Sequence, residues 1–440
     1  MIIAVDIGTT KVKAYAFSIA GEVLAWTERN NQTLVPYADW SEQAPEAVFR
    51  NVVDGLKDLL LTTFKKYPFA EIKGIVLSSA MHGMMAIDKK GEPLTNFMLW
   101  SDTRAAEAAL ELRHQDLGYV LYSKTGVPIH PMSPLVKLIW LRQNLPETFR
   151  HAHKFLGIKE YVWFRLTGNF ESDLSCASAT GLMNIHENTW DETALKLVGI
   201  SAEQLPELVS PTYISSTMQW AGLESVPLII GASDGALANL GCDATGPGKV
   251  AVTIGTSAAI RLMTHIPMLD GQMRTFCYRL DETRFIVGGA SNNGTNALEW
   301  LRSSVFRSSL GPDDFANQAS GVPSGANGLR FFPYLLGERA PLWDASARAS
   351  FVGLTMQHTQ AHFIRAVMEG VLLNLKSIAE VLEEKAPIHQ VSISGGFSQN
   401  KLWVSMLEEI FQKEILMDHH GTDASVRGAF LMGKTALCLE

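Results

Sequence analysis

Ile2-Ile3-Ala4-Val5-Asp6-Ile7-Gly8-Thr9-Thr10-Lys11 is an apolar run that ends on an aspartate and a Gly-Thr-Thr turn. Val12 to Ile19 then reads as a second strand, so the turn lies between two strands. The same order recurs in the second half, where Val250-Ala251-Val252-Thr253-Ile254-Gly255-Thr256-Ser257 is followed by a β-type run from Ala258 to Met263. A glycine-hydroxyl turn offers backbone N–H groups and side-chain donors to a phosphate. One such turn is an ordinary hairpin. Two, at matching places in duplicated halves, point to a nucleotide held in a cleft between two domains.

Working outward, residues 1–27 read as three strands, with Ala20-Gly21 turning the second into the third. Val52, Val53, Leu56, Leu59 and Leu60 give 48–64 one apolar helical face. Ile72 to Ser79 and Val226 to Gly231 read as buried strands that deliver the loops Ser78–Gly83 and Ala232–Gly235. Helices are expected at 104–115, 134–144 and 158–166, and later at 292–305, 362–384, 399–412 and 424–437. Gly246-Pro247-Gly248 punctuates the chain and divides it into domains 1–244 and 245–440. Short strands alternating with long helices make the fold class α/β.

Composition narrows the function. The net charge is −8 with no basic run, which argues against nucleic acid as a partner. Cys176, Cys242, Cys277 and Cys438 lack metal-ligand spacing and read as reduced thiols. No apolar run approaches a membrane span and no secretory signal is visible, so a cytoplasmic protein with no membrane partner is expected. Asp418-His419-His420 reads as a solvated loop, because adjacent histidines converge poorly on one ion.

Met132-Ser133-Pro134-Leu135-Val136-Lys137-Leu138-Ile139-Trp140-Leu141 and Ala349-Ser350-Phe351-Val352-Gly353-Leu354, continued at His362-Phe363 and Ala366–Glu369, resemble the two signatures of the FGGY carbohydrate kinases. The resemblance covers the whole chain. It implies two ribonuclease-H-like domains of the actin, hexokinase and Hsp70 type around a central cleft, with ATP and Mg²⁺ as cofactors. Ser78–His82, Gly126–Met132, Gly157–Tyr161, Gly231–Gly235, Phe276-Cys277-Tyr278 and Asn292-Asn293-Gly294 are most similar to gluconokinases, and imply D-gluconate as acceptor. Xylulokinases share Met81-His82-Gly83, so a pentulose or polyol kinase stays open. So does a non-catalytic nucleotide-dependent protein on the same fold. The resemblance also leaves a homodimer open, with no interface located.

Phosphoryl transfer to a hydroxyl needs a base for its proton, donors and a cation for the phosphates, and exclusion of water. Asp234 follows a strand end between small residues, and the resemblance places the catalytic aspartate there; read alone, it equally suits a helix cap. Asp6 at the end of the first strand is the candidate for the water shell of Mg²⁺, against a buried aspartate satisfied by the turn. Gly8, Thr9, Thr10 and Lys11 would face the phosphates from one side, and Gly255, Thr256 and Ser257 from the other. The resemblance puts adenosine against Gly396, Phe397 and Asn400, with Gly294 and Asn296 as the opposite wall. It puts the sugar against Met81, His82 and Trp100, with His130 and Met132 in a further loop, mostly on the first domain. For a carboxylate on the acceptor the preferred cation is Arg104, with a salt bridge to Asp102 as the alternative. The loop Gly337–Trp343 reads as structural.

Overall fold

The computed structural model describes residues 1–215, 217–220, 222–417 and 422–439, and two six-stranded sheets organise them. The first contains β1 (Ile2–Ile7), β2 (Lys11–Phe17), β3 (Val23–Asn30), β4 (Gly74–Ser79), β5 (Ile214–Ser215) and β6 (Leu228–Ser233), in the order β5-β6-β4-β1-β2-β3. The second contains β7 (Lys249–Ile254), β8 (Ala258–Thr264), β9 (Phe276–Arg279), β10 (Phe285–Ser291), β11 (Gln390–Ser394) and β12 (Glu414–Met417), in the order β9-β10-β8-β7-β11-β12. In each sheet the strand before the phosphate turn pairs antiparallel with the strand after it. On its other side that strand pairs parallel with a later one, β4 for β1 and β11 for β7. The duplication read in two short motifs is therefore a duplication of whole sheets.

Both faces of the first sheet are covered, which is why β1 is apolar without alternation. Ile3, Val5 and Ile7 point to the helix Pro45–Lys66 and meet Val48, Val52 and Leu56. Ile2 and Ala4 point the other way, into a core shared with Val426, Ala429 and Phe430 of the closing helix Ala424–Ala436. Each fully buried Ile or Val contributes about 1.5–3 kcal/mol. The closing helix, although last in sequence, lies on β1, β4 and the helix Asp234–Gly241 of the first half. The backbones touch there: a Cβ on Gly428 would stand 1.9 Å from the Leu237 carbonyl oxygen.

Several boundaries differ from the sequence reading. The segment 104–115 is a shorter helix, Ala106–Arg113, followed by a second over Asp116–Thr125. The helix expected from 292 starts at Thr295 and changes at Leu301 to a wider turn ending at Val305. Asn292 and Asn293 are instead held in a loop by Glu338 and the Leu336 and Gly337 carbonyls. No helix among the described residues is long and apolar enough to cross a membrane. Asp418-His419-His420 lies outside the described residues.

Candidate active site

The phosphate turns of the two sheets face one another across a cleft made of two joined cavities. One, of about 350 Å³, is lined by Met81, His82, Trp100, Phe276, Tyr278 and Arg339. The other, of about 710 Å³, is lined by Asp6, Gly8, Lys11, Gly395, Gly396 and Asp423. Thr9, Thr10, Asp234, Gly235, Gly255 and Arg261 border both. Asp234 therefore stands at the junction, where a group in one cavity can meet a group in the other.

Local structure explains how Asp234 gets there. β6 ends at Ser233, whose hydroxyl accepts from the Ala236 N–H and starts the helix Asp234–Gly241. The carboxylate follows in the first turn, where Oδ1 accepts from the Gly235 N–H at 2.6 Å. Burial pushes the Asp234 carboxyl up, and the Arg261 guanidinium opposes that. A carboxylate with a raised pKa is a better proton acceptor. Gly235 matters for space: a Cβ would lie 3.0 Å from Arg261 Nε and 3.1 Å from Met81 Cε.

His82 has a left-handed backbone, φ 69°, and a buried ring. Its Nδ1 bonds the Ala179 carbonyl oxygen at 2.8 Å. A carbonyl only accepts, so Nδ1 carries the proton and Nε2 is left as an acceptor. Burial lowers the imidazole to about 3, keeping it neutral. Lys137 holds this region together, donating to the carbonyls of His82, Leu99 and Met132 at 2.8, 2.6 and 2.7 Å. Three loops are thereby fixed by one ammonium whose three N–H donors match three acceptors, while burial lowers its pKa to about 7. Trp100 donates its indole N–H to Thr9 Oγ1 and presents its ring to the Arg339 guanidinium 4.5 Å away.

Carboxylates gather in the larger cavity. Asp6 accepts from Ser78 Oγ at 2.6 Å and Ser425 Oγ at 3.2 Å. Burial, then repulsion from Asp423 and Asp234, raises Asp6 to about 7. Asp423 is half-buried, and Lys13, its salt-bridge partner, keeps it below the usual carboxylate range. Three mutually repelling carboxylates beside a phosphate turn fit a hard divalent cation with oxygen ligands.

Family models match both halves: the FGGY carbohydrate kinase N-terminal domain over residues 1–241 and its C-terminal domain over 250–437. The chain belongs to the FGGY family of carbohydrate kinases. A gluconokinase of Bacillus subtilis (strain 168) is 38% identical over 448 residues, covering 98% of this chain and 86% of the relative. A xylulose kinase of the same organism is 30% identical, covering 94% and 84%. The gluconate kinase structure from Lactobacillus acidophilus superposes with a TM-score of 0.93 at 33% identity, covering 100% of this chain and 89% of that one. As an FGGY kinase the chain is a sugar phosphotransferase with the two-domain actin and hexokinase type of α/β fold, and the family implies ATP and a divalent metal.

Not every residue expected in the FGGY kinase site lines the cleft. Arg104 is withdrawn from it: Nε and Nη2 donate to Asp102 at 2.8 and 2.6 Å, and Nη2 donates to Glu42 at 2.6 Å. Its guanidinium lies over the Trp40 ring at 3.5 Å, and its side chain is 1% exposed. The structural alternative weighed for it is thus the observed one. His130 and Met132 are buried behind the cavity, His130 against Trp343. Thr256 and Ser257 line the smaller cavity rather than the larger. Gly294, Asn296, Phe397 and Asn400 line neither cavity. Gly294 donates to the Thr256 carbonyl, Asn296 accepts from Gly294, and Phe397 packs on Trp403. Asn400 caps the helix Lys401–Phe411. Ser398 and Gln399 line the larger cavity in their place.

Arg261, Tyr278 and Arg339, all from the second half, escaped the sequence reading as cleft residues. Arg261 follows the second phosphate turn by four residues on β8, and strand alternation turns it toward the cleft. Glu338 fastens the Gly337–Trp343 loop through Ser291 and Asn292, as a structural loop should, but Arg339 enters the smaller cavity. The smaller cavity is therefore lined from both halves of the chain.

Proposed function

We propose that this FGGY kinase transfers the γ-phosphoryl group of ATP to the terminal hydroxyl of D-gluconate, giving 6-phosphogluconate and ADP. The observation that carries the reading is the position of Asp234 where the acceptor and phosphate cavities join. The hydroxyl proton passes to the Asp234 carboxylate as its oxygen attacks the γ-phosphorus in line with the departing ADP oxygen. His82 Nε2 accepts from an acceptor hydroxyl and Trp100 packs against the carbon chain. Gly8 to Lys11 and Gly255 hold the phosphates from opposite sides, with Thr256 and Ser257 on the acceptor side of the junction and adenosine toward Gly396 and Ser398. Asp6, Asp423 and their hydroxyl partners would hold the water shell of Mg²⁺, which when bound neutralises phosphate charge. Gluconate is favoured over xylulose by the higher identity to gluconokinase and by the buried Arg339 lining the acceptor cavity. The xylulose kinase reading draws on an equally good superposition, TM-score 0.93 at 33% identity, with a Lactobacillus acidophilus enzyme of that name.

The test is a coupled ADP-release assay on gluconate and xylulose with the wild type and Asp234→Asn. Gluconate turnover should dominate. The variant should lose about 10²–10⁴-fold in kcat while still binding ATP. An unchanged kcat removes Asp234 as the base, and dominant xylulose turnover replaces the substrate.

A further inference from the structure

Two buried groups in the acceptor cavity have hydrogen-bond donors that the protein does not use. Arg339 is 7% exposed; its Nη2 donates to the Ser291 carbonyl at 3.0 Å, while its Nε is buried without a partner. The neighbouring Glu338 gives its acceptors to Ser291 Oγ and to the backbone N–H groups of Asn292 and Arg339, not to the Arg339 guanidinium. The Tyr278 hydroxyl is likewise buried and unpartnered. Its ring is held by stacking on Phe276 at 4.3 Å and by the His82 edge at 5.4 Å. Buried donors left unsatisfied are unfavourable, so two of them lining one cavity indicate a missing acceptor.

A guanidinium and a phenol are matched best by an anionic oxygen pair. Arg261, whose Nη1 is also unpartnered, is a poorer candidate for holding the far end of a substrate. It packs at Gly235 beside the proposed base and borders both cavities, so it belongs to the reacting end. Arg339 and Tyr278 border only the acceptor cavity, with the Trp100 ring against Arg339. An acceptor whose terminal hydroxyl sits at Asp234 extends its opposite end into this cavity.

Resting on the gluconate reading, we propose that the Arg339 guanidinium and the Tyr278 hydroxyl bind the C1 carboxylate of a linear sugar acid. These residues set the preference for aldonates over neutral polyols and ketoses. Both residues come from the second half of the chain and His82 and Trp100 from the first, so the charged end of the acceptor is recognised across the cleft.

The experiment measures kcat and KM for D-gluconate, a second aldonate (D-gulonate), the neutral polyol D-glucitol and D-xylulose. The proteins are the wild type, Arg339→Gln and Tyr278→Phe. The wild type should favour aldonates over both neutral acceptors. Arg339→Gln should lower the gluconate-to-glucitol ratio of kcat/KM by about a hundredfold, through KM for the acid rather than KM for ATP. Tyr278→Phe should lower it by about tenfold, and carries the test should Arg339→Gln fail to fold. Equal losses for acid and polyol, or a wild type preferring neutral acceptors, overturn the proposal. A wild type that prefers gulonate to gluconate, with the same ratio collapse in the variants, overturns the gluconate reading and upholds the carboxylate site.

Discussion

The Trp100 indole N–H donates to Thr9 Oγ1 across 3.1 Å, so the aromatic wall of the acceptor cavity and the first phosphate turn are one hydrogen-bonded unit. Trp100→Phe keeps a ring and removes that bond. A hydrogen bond of this kind is worth about 1 kcal/mol, so a fivefold to tenfold fall in kcat/KM, roughly, is expected. Because Thr9 belongs to the proposed phosphate turn, the apparent affinity for ATP should weaken together with that for the acceptor. Steady-state kinetics with each substrate varied will show it, and an effect confined to the acceptor would separate the two walls.

Arg104 gives the opposite expectation. It is buried, doubly paired and withdrawn from the cleft. Arg104→Ala strands the Asp102 and Glu42 carboxylates, which should lower stability by about 3–5 kcal/mol. Acceptor specificity among the molecules that remain folded should not change. Chemical denaturation followed by tryptophan fluorescence, alongside the gluconate-to-glucitol ratio, measures both quantities.

His82 should subtract from stability on mild acidification, against Asp6, whose raised carboxyl works in the opposite direction. His82 is neutral when folded because burial lowers it to about 3, whereas the unfolded ring binds a proton below the ordinary value of 6.5. Between those limits the unfolded chain holds more protons, so falling pH favours unfolding. His82 alone should remove about 2 kcal/mol between roughly pH 8 and pH 5. His130, also held well below 6.5 by burial, acts in the same direction. Acidification across this range should lower the denaturation midpoint of the wild type relative to that of His82→Gln, and an identical pH dependence would show that the ring is not buried neutral.

Gly235 tests the junction without touching a charge. The atoms that a Cβ would meet belong to two flexible side chains, Arg261 and Met81, so Gly235→Ala should fold. The displaced guanidinium and thioether would crowd the acceptor beside Asp234. A loss of about tenfold or more in kcat is expected, since reaction depends on near-attack geometry. Thermal stability should stay close to the wild type.

What the sequence made legible follows from locality. The turns at Gly8 and Gly255 announce themselves because strand, glycine and hydroxyl are contiguous, and Asp234 because a strand delivers it directly. Arg339 was hidden because its role depends on which wall its loop meets, and its neighbour Glu338 is structural. Arg104 misled because a lone cation in a substrate loop looks available until Glu42, 62 residues earlier, is seen beside it. Lys137 lay within a recognised signature, yet its grip on three separate loops is a property of tertiary structure alone.

The last helix of the chain rests on the sheet formed by the first residues, sharing one apolar core with Ile2, Ala4 and Val76. Severing the gene near residue 245 would accordingly not yield two autonomous proteins. The amino-terminal fragment would be born with one side of its sheet bare and prone to aggregate. The missing cover would have to be supplied in trans by the other fragment, so soluble product should appear only when the two are co-expressed.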